Sequence, residues 1–88
     1  MHMTPYPYSL TIDDAEQGYV WIVDWIEQST QGLLSLENVG EMDGCGLQLL
    51  MMAQMRRQQK NRPFQVVSVS DRFEALCRTA GLSIGDSR

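Results

Sequence analysis

The sequence predicts a single α/β domain, a small mixed sheet of about three or four strands carrying three helices in the order β-α-β-α-β-α. Three observations predict it. The 88 residues have room for one core. The spacing of apolar residues passes from the strand period to the helix period three times along the chain. Glycine, proline and capping residues stand at the switches. No repeat or linker divides the chain, so residues 1–88 read as one unit with its core in about 6–82.

The first strand spans residues 6–11, where Tyr8 and Leu10 alternate with Ser9 and Thr11, and Pro5 and Pro7 confine its start to an edge. Asp13, Asp14 and Glu16 suit the positive end of a helix dipole. Ala15, Tyr19, Ile22 and Ile26 then follow at helical spacing, giving a helix over 13–29 closed by Gly32. Residues 33–37 are too short and apolar for a helix and form the second strand, bounded by Gly32 and Gly40. Asp43 caps a second helix over 44–61, whose last turns hold Arg56, Arg57 and Lys60 where the dipole favours bases. Pro63 restarts the chain into a β-branched strand over 64–69. Ser70 or Asp71 opens a third helix with Phe73, Leu76, Cys77 and Ala80, ended by Gly81.

Composition narrows the chemistry. An apolar share of 43% with 20% charged residues belongs to globular chains. No apolar run reaches the ~18 residues that cross a bilayer, and the first residues lack the basic and apolar regions of an export signal. A cytoplasmic chain without membrane insertion is therefore expected. Cys45 and Cys77 stand 32 positions apart with one histidine in the whole chain, so neither a metal site nor a cofactor is expected. The net charge of −4 disfavours a nucleic-acid partner. The charge is also segregated: residues 1–55 hold eight acids and no base (−8), and residues 56–88 hold seven bases against three acids (+4). Such a dipole orients a charged partner on approach.

The segment from Leu33 to Leu50, LLSLENVGEMDGCGLQLL, combines a strand, a valine-centred turn and an Asp-x-x-Gly-Leu helix opening at Asp43, Gly46 and Leu47. This segment resembles the centre of a STAS domain. The run from Arg62 to Ser70 followed by Phe73, Leu76 and Ala80–Gly81–Leu82 resembles that family's last strand and final helix, and Leu10-Thr-Ile12 its earlier strand-to-helix passage. The resemblance covers about residues 8–82 and implies a non-enzymatic regulatory module without a cofactor. Its implied partner is a protein: an anti-sigma factor, a kinase-like or chemosensory protein, or, as the alternative within the family, the ATPase of a lipid-transport ABC system. Family antagonists carry a phosphorylated Ser or Thr directly after the aspartate. That position is Gly44 here, a degenerate phosphosite with no hydroxyl, and Ser35 stands where many members have an acid.

The partner-binding surface implied by the resemblance is the Asp43 turn and the helix after it. On a wheel of 100° per residue, Leu47, Leu50, Met51, Gln54, Met55 and Gln58 form one arc, expected to face the core. Cys45, Leu49, Met52, Ala53 and Arg56 form the opposite arc. Asp43, Gly44, Cys45, Leu49, Met52 and Arg56 are thus the candidate partner-binding residues. Trp21 and Trp25 lie off the Ala15/Tyr19/Ile22/Ile26 stripe and are candidate contacts of a homodimer, with Gly18 permitting close approach. Against the family pattern the chain is short before Leu10, which leaves a sheet edge as a second candidate dimer surface. A competing reading from another class makes Cys45, at a helix N-terminus that favours a thiolate, the centre of a thiol enzyme or redox sensor.

Overall fold

The computed structural model describes residues 8–85, in which seven regular strands and helices follow one another after Tyr8. Strand β1 (Ser9–Leu10) passes through a single 3-10 turn, Ile12–Asp14, into helix α1 (Ala15–Gln28). Then come β2 (Leu33–Ser35), β3 (Glu41–Met42), α2 (Gly44–Gln59), β4 (Gln65–Val67) and α3 (Asp71–Thr79). The α/β class and the three helices agree with the sequence reading. The expected strand residues Tyr6 and Pro7, and the chain before Tyr8, lie outside the described residues.

The sheet differs from expectation. Instead of one sheet, two parallel two-stranded ladders form, β1 with β3 (Ser9 opposite Glu41) and β2 with β4 (Leu34 opposite Val66). Strand β3 falls in what the sequence offered only as a turn. It arises because the turn closed by the Val39 N–H on the Leu36 carbonyl (3.1 Å) carries Gly40 against Tyr8. A Cβ on Gly40 would lie 2.3 Å from the Tyr8 ring, so a larger residue there would require the exposed Tyr8 side chain to move aside. β4 also takes Ile84 as an isolated parallel bridge on its far side, with the Gly85 N–H on the Val66 carbonyl at 2.8 Å. Ser68, at φ 55°, ends β4 earlier than the β-branched run suggests.

The core lies between these ladders and the helices, with Ile22, Leu34, Leu50, Ala53, Val66 and Cys77 fully buried. Trp21 and Trp25 belong to it at 2% and 5% exposure, and the Trp25 ring meets Phe64 edge-on at 5.5 Å. The expectation that this pair stands off the core face, available to a second copy, is corrected. Tyr19, expected inside, is 46% exposed. Helix α1 is turned so that Gly18 faces α2, where a Cβ would lie 3.1 Å from Leu49 Cδ1; both tryptophans follow Gly18 inward.

The wheel of α2 is corrected in the same way. Its buried stripe is Gly46, Leu50, Ala53 and Arg57, while Met51 and Met55 look outward at 38% and 58% exposure. Leu49 and Met52, placed outside by the wheel, pack half-buried against the core. Two small residues set this phase. A Cβ on Gly46 would lie 2.0 Å from the Leu10 carbonyl oxygen, so the helix lies directly on the β1 backbone. Gln54, expected inside, is half-buried and clamps the chain after α3, donating to the Gly81 carbonyl (3.0 Å) and accepting from the Ser83 N–H (2.9 Å).

Candidate functional site

The residues singled out by the sequence converge on the N-terminal end and outer side of α2. Asp43 takes the extended N-cap conformation and caps the helix as expected. Its Oδ1 accepts from the backbone N–H groups of Cys45 (2.9 Å) and Gly46 (3.2 Å), and its Oδ2 accepts from the Ile12 N–H (3.0 Å). The Ile12 bond, helped by the other two and opposed by partial burial, holds the carboxyl below its ordinary value of 3.8. Both oxygens are thus occupied in joining the start of α2 to the turn that opens α1.

Gly44 is exposed, and a Cβ built on it meets nothing within 4 Å. The missing hydroxyl is therefore a property of the sequence and not of crowding. Cys45 is half-buried with a free thiol. Its backbone N–H is held by the Asp43 carboxylate. Cys77 is buried on the apolar side of α3, where desolvation and then Glu74 push its thiol up from 9.0. Among the described residues no group of three or more His, Cys, Asp or Glu is placed to hold a metal ion. Ser35 accepts the Glu37 N–H at 3.2 Å, a local turn bond.

Further along α2, Gln48, Met51, Met52, Met55, Arg56 and Gln59 line an open groove of about 380 Å³. Of the six candidate partner-binding residues, Gly44 and Arg56 are exposed, while Asp43, Cys45, Leu49 and Met52 are half-buried. Leu49 is engaged against Gly18 and is part of the helix–helix packing. Met51 and Met55, assigned to the core by the wheel, supply the apolar outer surface in its place.

Sequence reasoning missed Arg57. The arginines here read as a solvated helix end, yet Arg57 is 1% exposed. Its Nε donates to the Pro63 carbonyl (3.1 Å), and its Nη1 donates to the carbonyls of Ile26 (3.0 Å) and Ser29 (2.9 Å). Its guanidinium lies 5.2 Å from the Trp25 ring centroid. Burial, and secondarily Arg62, lowers its pKa below the ordinary arginine value. The cation thus closes the C-terminal end of α1, where the dipole is negative. Nη2 is buried with no hydrogen-bond partner, 3.2 Å from where a Gly32 Cβ would stand. The one signal in the sequence was the position of Arg57 on the same helical stripe as Gly46, Leu50 and Ala53.

No helix among the described residues is long and apolar enough to cross a membrane. Comparison with family models, with curated proteins and with solved structures finds no match to this chain.

Proposed function

We propose that the chain is a non-enzymatic, STAS-like protein-interaction module of bacterial signalling that has lost the phosphorylation switch. Its partner is an anti-sigma factor or a kinase-like or chemosensory protein. One observation carries the reading: the Asp43 carboxylate is fully occupied by backbone N–H groups, which leaves the next position, Gly44, as an open knob at the mouth of α2. A carboxylate so occupied is a fastener and not a base. An exposed helix mouth beside a Met-lined outer face is a surface for a protein, since methionine side chains adapt to a partner's shape. Without a hydroxyl at 44, binding here is constitutive unless another residue is modified.

Affinity capture from the native cell extract, followed by identification of the bound protein, tests this reading. Gly44→Glu adds a charged side chain in open space and is expected to abolish capture of the partner while leaving the melting temperature unchanged. Cys45→Ser is expected to retain capture, which separates an interaction surface from thiol chemistry. Capture unaffected by Gly44→Glu, or lost in Cys45→Ser, overturns the proposal. A transporter ATPase as the bound protein moves the chain to the lipid-transport alternative.

A further inference from the structure

Helices α1 and α2 lie side by side and run in the same direction. Three links show it: Asp43 joins the start of α2 to Ile12, Leu49 meets Gly18 in mid-helix, and Arg57 near the end of α2 reaches Ile26 and Ser29 at the end of α1. Their outward faces therefore form one continuous surface. On the α1 side it exposes Ile12 (71%), Tyr19 (46%) and Val20 (48%), flanked by the exposed acids Glu16 and Glu27. On the α2 side it exposes Met51 and Met55 over the 380 Å³ groove, flanked by Arg56 and then Lys60. Charge sorts between the two: the exposed charged residues of 12–28 are the acids Asp13, Glu16 and Glu27, and those of 44–60 are the bases Arg56 and Lys60.

We infer that this surface binds a second copy of the same chain, with α1 of each protomer seated in the α2 groove of the other. The proposal uses the same Met-lined outer face of α2 as the partner reading above, so a second copy and a partner would compete for it, and the mass of the chain alone tests it separately from partner capture. Its argument is charge complementarity under symmetry. Two identical helix pairs stack face to face about a two-fold axis in the plane of contact. An axis across the helices sets α1 antiparallel on α1, acid against acid, and α2 antiparallel on α2, which leaves Arg56 and Lys60 over the uncharged start of the other α2 with no acid to meet. An axis parallel to the helices sets α1 on α2 twice, apolar stripe in apolar groove, with unlike charges apposed at both. Because α1 and α2 run parallel, that axis aligns their C-terminal ends and brings Glu27 of one protomer to Arg56 and Lys60 of the other. Helices of 14 and 16 residues, about 21 and 24 Å long at 1.5 Å per residue, give a contact at the small end of specific interfaces. The dimer is accordingly weak and dependent on concentration.

Sedimentation of the full chain from about 5 to 300 µM, a span bracketing micromolar affinity, tests it. The mass is expected to rise from 10.0 kDa towards twice that value. Met55→Glu places a charge in the groove from an exposed position and is expected to keep the chain monomeric throughout, with an unchanged far-UV spectrum. Glu27→Lys and Arg56→Glu alone should each weaken association about tenfold, the size of a close charge pair, and the double variant should recover most of it. A monomer at every concentration overturns the proposal, as does a dimer indifferent to Met55→Glu. Failure of the double variant to recover overturns the parallel-axis arrangement.

Discussion

At its N-terminal end α2 is fastened to α1 by an acceptor, the Asp43 carboxylate. At its C-terminal end it is fastened by a donor, the Arg57 guanidinium. The first is short and half-buried, bonding two backbone N–H groups that follow it within three residues and the Ile12 N–H on the neighbouring turn. The second is long, buried and non-local, gathering carbonyls from the end of α1 and from the loop before β4. Each answers the orphan groups of a helix end, N–H groups at the start of α2 and carbonyls at the end of α1. The difference lies in solvent. Water can replace the carboxylate at the open mouth of α2, whereas nothing replaces the guanidinium between the helices.

Removing the buried fastener is therefore expected to have the largest effect. Arg57→Met keeps much of the side-chain volume but leaves the Ile26, Ser29 and Pro63 carbonyls without their donor and removes the cation from beside Trp25. A loss of about 3 kcal/mol or more is expected, since each buried orphan acceptor costs roughly 1–3 kcal/mol. Arg57→Lys should recover only part, because a single ammonium cannot span carbonyls that Nε and Nη1 reach separately. Urea denaturation checks both. A lysine variant as stable as the native chain would mean that charge alone, and not the planar fork, holds the end of α1.

The second effect belongs to the other end and concerns shape. Gly46→Ala puts a methyl group 2.0 Å from the Leu10 carbonyl oxygen, a backbone atom that cannot swing away. The helix mouth must lift from β1. A loss of about 1–3 kcal/mol is expected despite alanine's better helix propensity, as for other overpacked sites. Gly18→Ala is the control. Its methyl group meets only the tips of Leu49 and Leu10, which can adjust, so its stability should stay near that of the native chain. Equal losses for both would mean that the helix–helix contact is as rigid as the helix–strand contact.

The same contrast separates what was legible in the sequence from what was not. Asp43 was readable because a cap acts within three residues of itself, and the helix after it begins where the sequence says. The α/β alternation was readable from periodicity, as were the strands around Leu34 and Val66. The rotation of each helix was not. Gly46 and Ala53 set the buried face of α2 by being small, and a hydrophobic wheel gives small residues no weight, so it swung towards Met51 and Met55. Arg57 on that face counted as polar and pushed the reading further round. In α1 the tryptophans were displaced on paper by Ala15 and Tyr19, because nothing local says that Gly18 meets Leu49. Strand β3 depends on pairing beside β1, where the Gly40 N–H donates to the Tyr8 carbonyl across 32 positions of sequence.

The smallest effect is expected at Asp43, and it is distinguished by its dependence on pH. Its carboxyl is held below 3.8 in the folded chain, chiefly by the Ile12 N–H. The unfolded chain therefore takes up the proton first as the solution is acidified. The contribution of Asp43 is fully present above its ordinary value, declines as the pH falls below about 4, and is gone once the pH passes the folded value. Asp43→Asn keeps a capping oxygen and removes the titration. The native chain should be the more stable of the two near neutrality, and their denaturation midpoints should converge as the pH falls through and below about 4. A gap that stays constant over that range would mean that the shape of the cap, and not its charge, joins α2 to the opening of α1. In that event the Ile12 N–H would be held by the hydrogen bond to the cap and not by the charge of the carboxylate.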